Sequence, residues 1–155
     1  MRIILAVDPG KKSGVTTFSY EKGSEPLLLA SGEFLMEEYH RPIIEAIQLA
    51  SDEKCTFEIV CERFTINAQT IKNSQAPYSL EQIGVLKYLM LINEIDPNTL
   101  IFQSPSDAKR MFDNNALKKL GYWHKGGEGH AIDAIRHGLL YLAKNGWTPL
   151  RLLQQ

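Results

Sequence analysis

Four residues have the types and spacing to do phosphate chemistry: Asp8, Glu62, His130 and Asp133. Asp8 follows the apolar run Ile3-Ile4-Leu5-Ala6-Val7, and Glu62 follows Phe57-Glu58-Ile59-Val60-Cys61, so each carboxylate ends a predicted strand. If those strands are adjacent and parallel, both acids emerge at the carboxyl edge of the sheet, where open α/β sheets hold their ligands. His130 and Asp133 stand three apart at the start of a predicted helix and share one face of it. Bringing that face to the same edge assembles three carboxylates and an imidazole. Magnesium takes hard oxygen ligands and keeps several waters, so a few carboxylates and a substrate phosphate suffice to hold it. Two such ions, roughly 4 Å apart, activate an attacking water and stabilise the leaving oxygen. Each residue alone has a plainer reading: Asp-Pro-Gly as a turn, a strand-end Glu as a solvated terminus, a first-turn His as a cap. Their convergence in one fold is what favours metal chemistry.

The elements that must position these groups follow from hydrophobic periodicity. Ile3 to Val7 is continuous and β-branched, as in a strand buried on both faces. Asp8-Pro9-Gly10-Lys11-Lys12-Ser13-Gly14 breaks it with turn residues. Val15 to Tyr20 and Leu27 to Phe34 read as two more strands, and the short links between them make an antiparallel meander. Pro42 suits a first helical turn, with Ile43, Ala46, Ile47 and Ala50 at helical spacing. After the fourth strand, residues 63 to 78 read as a long polar loop. Ser79 with Gln82 forms an expected capping box for a helix through about Asn93. Leu100 to Phe102 is a short fifth strand, followed by helical pieces around Ser106–Phe112 and Asn115–Leu120. A last helix runs from His130 to about Lys144 and ends at Asn145-Gly146. The order βββαβαβα predicts a single domain over residues 1–155. Its mixed five-stranded sheet, a three-strand meander plus two parallel strands, is flanked by helices in the ribonuclease H-like plan.

Composition sets the outer bounds. The 155 residues are 44% hydrophobic and 23% charged, ordinary for a globular domain. No apolar run approaches the ~20 residues of a membrane span, and the N-terminal apolar stretch is too short for a secretory signal. Two cysteines, Cys55 and Cys61, imply no disulfide framework, and a cytoplasmic setting is the default expectation. The net charge of −1 offers no long-range attraction for nucleic acid. Cations bound among the acids would reverse the local sign.

Three segments carry a resemblance. Ile3 to Gly10 followed by Gly14, Cys61-Glu62-Arg63-Phe64, and His130-Ala131-Ile132-Asp133-Ala134 resemble the RuvC-type Holliday junction resolvases from Met1 to about Leu142. The long polar loop and Ile83-Gly84-Val85-Leu86-Lys87-Tyr88-Leu89 look most like a phage-type branch. The resemblance implies a two-metal magnesium endonuclease, with manganese as a substitute, acting on four-way or otherwise branched DNA. It implies that Asp8 bridges the ions, that Glu62 and Asp133 each bind one, and that His130 positions water or substrate. A near-neutral charge departs from the basic character common in that family.

Other groups have two readings each. Lys11, Lys12 and Lys72 are expected phosphate contacts or solvated loop lysines. Lys109-Arg110 and Lys118-Lys119 are DNA-backbone contacts or solvated helical faces. Phe64 is a wedge against opened bases or a core aromatic. His137 lies on the stripe of His130 and Asp133 and reads first as a surface or core-edge histidine. His124, His130 and His137 form an alternative zinc trio, which no cysteine pair supports. Two active sites are needed to cut a junction symmetrically, so a homodimer is expected. The helix from Ser79 to Asn93 carries surplus apolar groups for the interface, with Leu86 read as outward-facing. The competing functions are a ribonuclease H-like nuclease of the ribosomal-RNA processing type, and a non-catalytic DNA-binding module. The first begins with a related Asp-x-Gly pattern whose spacing differs by one residue. Sugar-kinase and actin-like ATPases open similarly but need a second duplicated domain.

Overall fold

The computed structural model describes residues 1–69 and 76–153. Three consecutive strands come first: β1 (Arg2–Asp8), β2 (Lys12–Tyr20) and β3 (Leu27–Leu35). Then follow α1 (His40–Asp52), β4 (Thr56–Glu62), α2 (Ala76–Ile92), a 3-10 turn (Pro97–Thr99) and β5 (Ile101–Gln103). The chain closes with α3 (Pro105–Met111), α4 (Asn114–Leu120), α5 (His130–Lys144) and the short α6 (Leu150–Leu153). The sheet order is β3-β2-β1-β4-β5, with β1/β2 and β2/β3 antiparallel and β1/β4 and β4/β5 parallel. The predicted mixed sheet is therefore the observed one. No helix among the described residues is long and apolar enough to cross a membrane.

Strand alternation divides the core into two layers. Ile4, Ala6, Phe18 and Val60 point to one side and pack with Phe112, Leu117, Ile135 and Leu139 of the α3–α5 layer. Leu5, Val7, Ile59 and Cys61 point to the other and pack with Ile43, Leu86 and Met90 of α1 and α2. Every residue from Ile3 to Asp8 is buried, as a central strand covered on both faces must be. α5 lies tightly on β2. A Cβ on Gly14 would fall 1.9 Å from the His130 carbonyl oxygen, and one on Gly138 would fall 2.7 Å from the Phe18 ring.

Three expectations are corrected. Within the predicted loop over 63 to 78, Ala68, Gln69 and Ala76 to Tyr78 are helical and residues 70 to 75 lie outside the described residues, and Ser79 lies inside α2 instead of capping it. Its hydroxyl donates to the Pro9 carbonyl at 2.9 Å, which ties α2 to the turn after Asp8. Leu86 points inward and is fully buried. The outward face of α2 is instead Leu80, Val85, Tyr88, Leu91 and Ile92.

Candidate active site

Parity and register bring the acids together. Asp8 has the parity of Ile4 and Ala6, and Glu62 that of Val60, so both face the α5 layer. β1 and β4 pair in parallel up to Val7 and Cys61, which leaves Asp8 and Glu62 side by side at the carboxyl edge. Gln103 is the register partner of Glu62 and extends the row onto β5. Across from this row, His130, Asp133 and His137 stand at i, i+3 and i+7 on α5, one stripe of the helix.

Each acid has a specific partner. Asp8 Oδ2 lies 2.9 Å from His130 Nδ1. Burial, then the negative charges of Glu62 and Asp133, push the Asp8 carboxyl up to about 6, against the lowering effect of His130. His130 is itself raised, chiefly by its hydrogen bond to Asp8 and against its own desolvation. Glu62 Oε2 lies 2.9 Å from His137 Nε2, and His137 Nδ1 lies 3.0 Å from Gln103 Oε1. Asp133 is clasped by Lys109 at 3.1 Å and by Arg136, which also donates to the Phe112 carbonyl at 2.9 Å and to Asn114.

Among the described residues, no three His, Cys, Asp or Glu side chains converge tightly enough to cage an ion by themselves. The zinc trio therefore does not form. His130 turns to Asp8 and His137 to Glu62, and His124 engages neither. The donor set of Asp8, Glu62 and Asp133 nonetheless suits a hard cation. Glu62 and Asp133 both raise the cost of charge on Asp8, and magnesium needs only one or two direct carboxylates. A cleft of about 440 Å³ opens beside Asp133, lined by Lys109, Asn114, Trp123, His124 and Arg136 among others. An apolar groove of about 370 Å³, lined in part by Val15, Leu29, Phe34 and Leu49, lies on the α1 face and contains none of the acids.

The expected nucleic-acid contacts are dispersed. Lys11 is exposed beside the turn after Asp8, whereas Lys12 is paired with Glu128 at 2.8 Å. Lys109 reaches Asp133, and Arg110 pairs with Asp107 at 3.2 Å. Lys118 lies over the Trp123 ring, and Lys119 is exposed on α4. Phe64 is half-buried and, among the described residues, belongs to neither core cluster. Lys72 lies outside the described residues.

Of the first reading of His137 as a surface or core-edge histidine, the surface half is overturned, for the ring is buried at the sheet edge and bonded to Glu62. It also missed Gln103, Arg136 and Glu33. Gln103 had a usable signal, since it ends β5 as Glu62 ends β4. Arg136 stands three residues after Asp133, an ordinary ion-pair spacing.

No family model matches the sequence, and no curated protein matches it. Solved structures do resemble its fold. A structure of Thermus thermophilus RuvC in complex with a Holliday junction substrate aligns with a TM-score of 0.65 at 15% identity, covering 94% of this chain and 97% of that one. A second Thermus thermophilus RuvC structure aligns at the same TM-score and 14% identity, covering 93% and 97%. The chain thus has the ribonuclease H-like fold. Its particular form of that fold is the one seen in RuvC.

Proposed function

We propose that this protein is a magnesium-dependent, structure-selective endonuclease that cuts Holliday junctions or other branched DNA. One observation carries the reading. Asp8 and Glu62 end adjacent parallel strands facing the His130/Asp133/His137 stripe, on a fold whose RuvC counterpart was solved with a junction.

Asp8, Glu62 and Asp133 are the residues that would hold the cations, with His130 beside Asp8. Two magnesium ions, or manganese in their place, would supply an activated water and stabilise the departing oxygen. The chain's own residues do the positioning. His130 holds Asp8, His137 and Gln103 hold Glu62, and Lys109 with Arg136 holds Asp133. Burial around Asp8 keeps bulk water from its carboxylate and strengthens charge interactions there. Lys11, Lys119 and the basic wall of the cleft beside Asp133 would meet phosphates without reading sequence.

A symmetric homodimer would supply the second active site a junction needs. The α2 face offers the surface: Tyr88 and Leu91 are 62% and 63% exposed, with Leu80, Val85 and Ile92 near them. Among the described residues a Cβ on Gly84 would meet nothing within 4 Å, so packing against them does not account for that glycine. It leaves room for close helix approach.

Incubation with labelled four-way junction, linear duplex and RNA–DNA hybrid, with and without magnesium, tests the reading. Magnesium-dependent paired nicks in the junction alone are expected. Preferential cutting of the hybrid would favour an RNA-directed nuclease, and binding without cutting would favour a non-catalytic module.

A further inference from the structure

α5 carries half of the candidate site, yet its first turn has no side-chain cap of its own, because its N-cap residue is Gly129. The first N–H groups of a helix need acceptors. Here they come from β3. Glu33 Oε2 accepts the Glu128 N–H at 2.8 Å, and Oε1 accepts those of Gly129 at 2.8 Å and Ala131 at 3.4 Å. Burial pushes the Glu33 carboxyl up, but these backbone donors outweigh it and hold the group below the usual glutamate range. Its negative charge also faces the positive end of the α5 dipole.

The surroundings are shaped to this contact. Gly127 has φ +67°, and a Cβ there would fall 2.3 Å from the Glu33 carboxylate, so the loop closes directly around that group. Lys12 holds the Glu128 side chain at 2.8 Å. Glu33 is the register partner of Gly14, and Gly14 is the residue whose missing side chain admits the His130 carbonyl. The β2–β3 pair therefore offers a two-part seat: a gap at Gly14 and a carboxylate at Glu33.

We propose that Glu33 is a positioning residue that seats the N-terminus of α5, and with it His130 and Asp133, at the carboxyl edge beside Asp8 and Glu62. The proposal rests on the nuclease reading for its catalytic consequence but not for its geometry. Glu33 lies near the candidate metal ligands, yet its two oxygens are given to backbone donors, which distinguishes it from them. A helix end held at one turn fixes the approach of His130 to Asp8, and displacements of about 1 Å at such sites cost on the order of 100-fold in rate.

The test compares wild-type, E33Q and E33A proteins by amide hydrogen exchange without metal and by single-turnover cleavage of a four-way junction with magnesium. In E33A, protection of the amides from 128 to 133 should fall at least tenfold while β1 and β4 keep theirs. The cleavage rate should fall 10- to 100-fold, with junction binding in the absence of metal changed less than threefold. E33Q keeps one carbonyl acceptor and should lie between. Unchanged protection in E33A overturns the proposal, and so does lost protection with an unchanged rate. Wild-type protein that cuts no branched DNA overturns the nuclease reading alone, and the exchange measurements still decide the seat.

Discussion

Nε2 of His137, a fully buried imidazole on α5, lies 2.9 Å from Oε2 of Glu62 at the end of β4. An ionised carboxylate only accepts, so Nε2 carries the proton and donates it into this bond. The Gln103 amide offers both a donor and an acceptor, so it completes Nδ1 with or without a proton there. A ring held at both nitrogens has one orientation, and it fixes one Glu62 oxygen.

His137→Ala should therefore act on stability and on function. It leaves the buried Gln103 amide without its partner, which costs about 2 kcal/mol in urea unfolding. It also frees Glu62 to rotate, and loss of such an orienting contact lowers activity by about 10- to 100-fold. A variant that loses stability but cuts junctions at the wild-type rate would remove His137 from the site.

Asp8→Asn, Glu62→Gln and Asp133→Asn should each abolish cleavage and leave the far-ultraviolet circular dichroism spectrum unchanged. Chelation of divalent metal should do the same to the wild-type protein. For Asp8→Asn the melting temperature should hold or rise, because burial and the neighbouring acids already disfavour charge at that position. Near-normal cutting by Asp8→Asn would sink the site assignment.

DNA binding should depend on salt through lysines whose charge is uncommitted. Lys11→Ala should weaken junction binding and lower the slope of log K against log salt by about one unit. Lys12→Ala should change the slope less, because Lys12 is already neutralised by Glu128. Equal, negligible effects of both would place the DNA elsewhere.

Sedimentation of the wild-type protein at micromolar concentration should show a dimer. Leu91→Glu, on the exposed α2 face, should give folded monomers that nick junctions without paired cuts. Leu86→Glu should instead unfold the chain, since it places a charge in the sealed core. A wild-type monomer that stays monomeric on junction DNA rules out the interface.

What the sequence determined by itself is what short-range physics encodes. The unbroken apolar run before Asp8 marks a strand covered on both faces, and Asp-Pro-Gly ends it. The 3.6-residue stripe from His130 to Lys144 marks α5 with its observed ends. Chain order then places Asp8 and Glu62 at one sheet edge, because helical crossovers make their strands parallel. The tertiary structure decided which side chains meet. Nothing local says that Gln103 lines up with Glu62, that His137 turns inward to both, or that Leu86 faces the core while Leu91 does not. Glu33 was illegible for the same reason: its partners lie 95 to 98 residues away along the chain. Periodicity records only which residues share a face. What that face touches depends on strand register and on how closely α5 settles over Gly14 and Gly138, and those are properties of packing between distant segments.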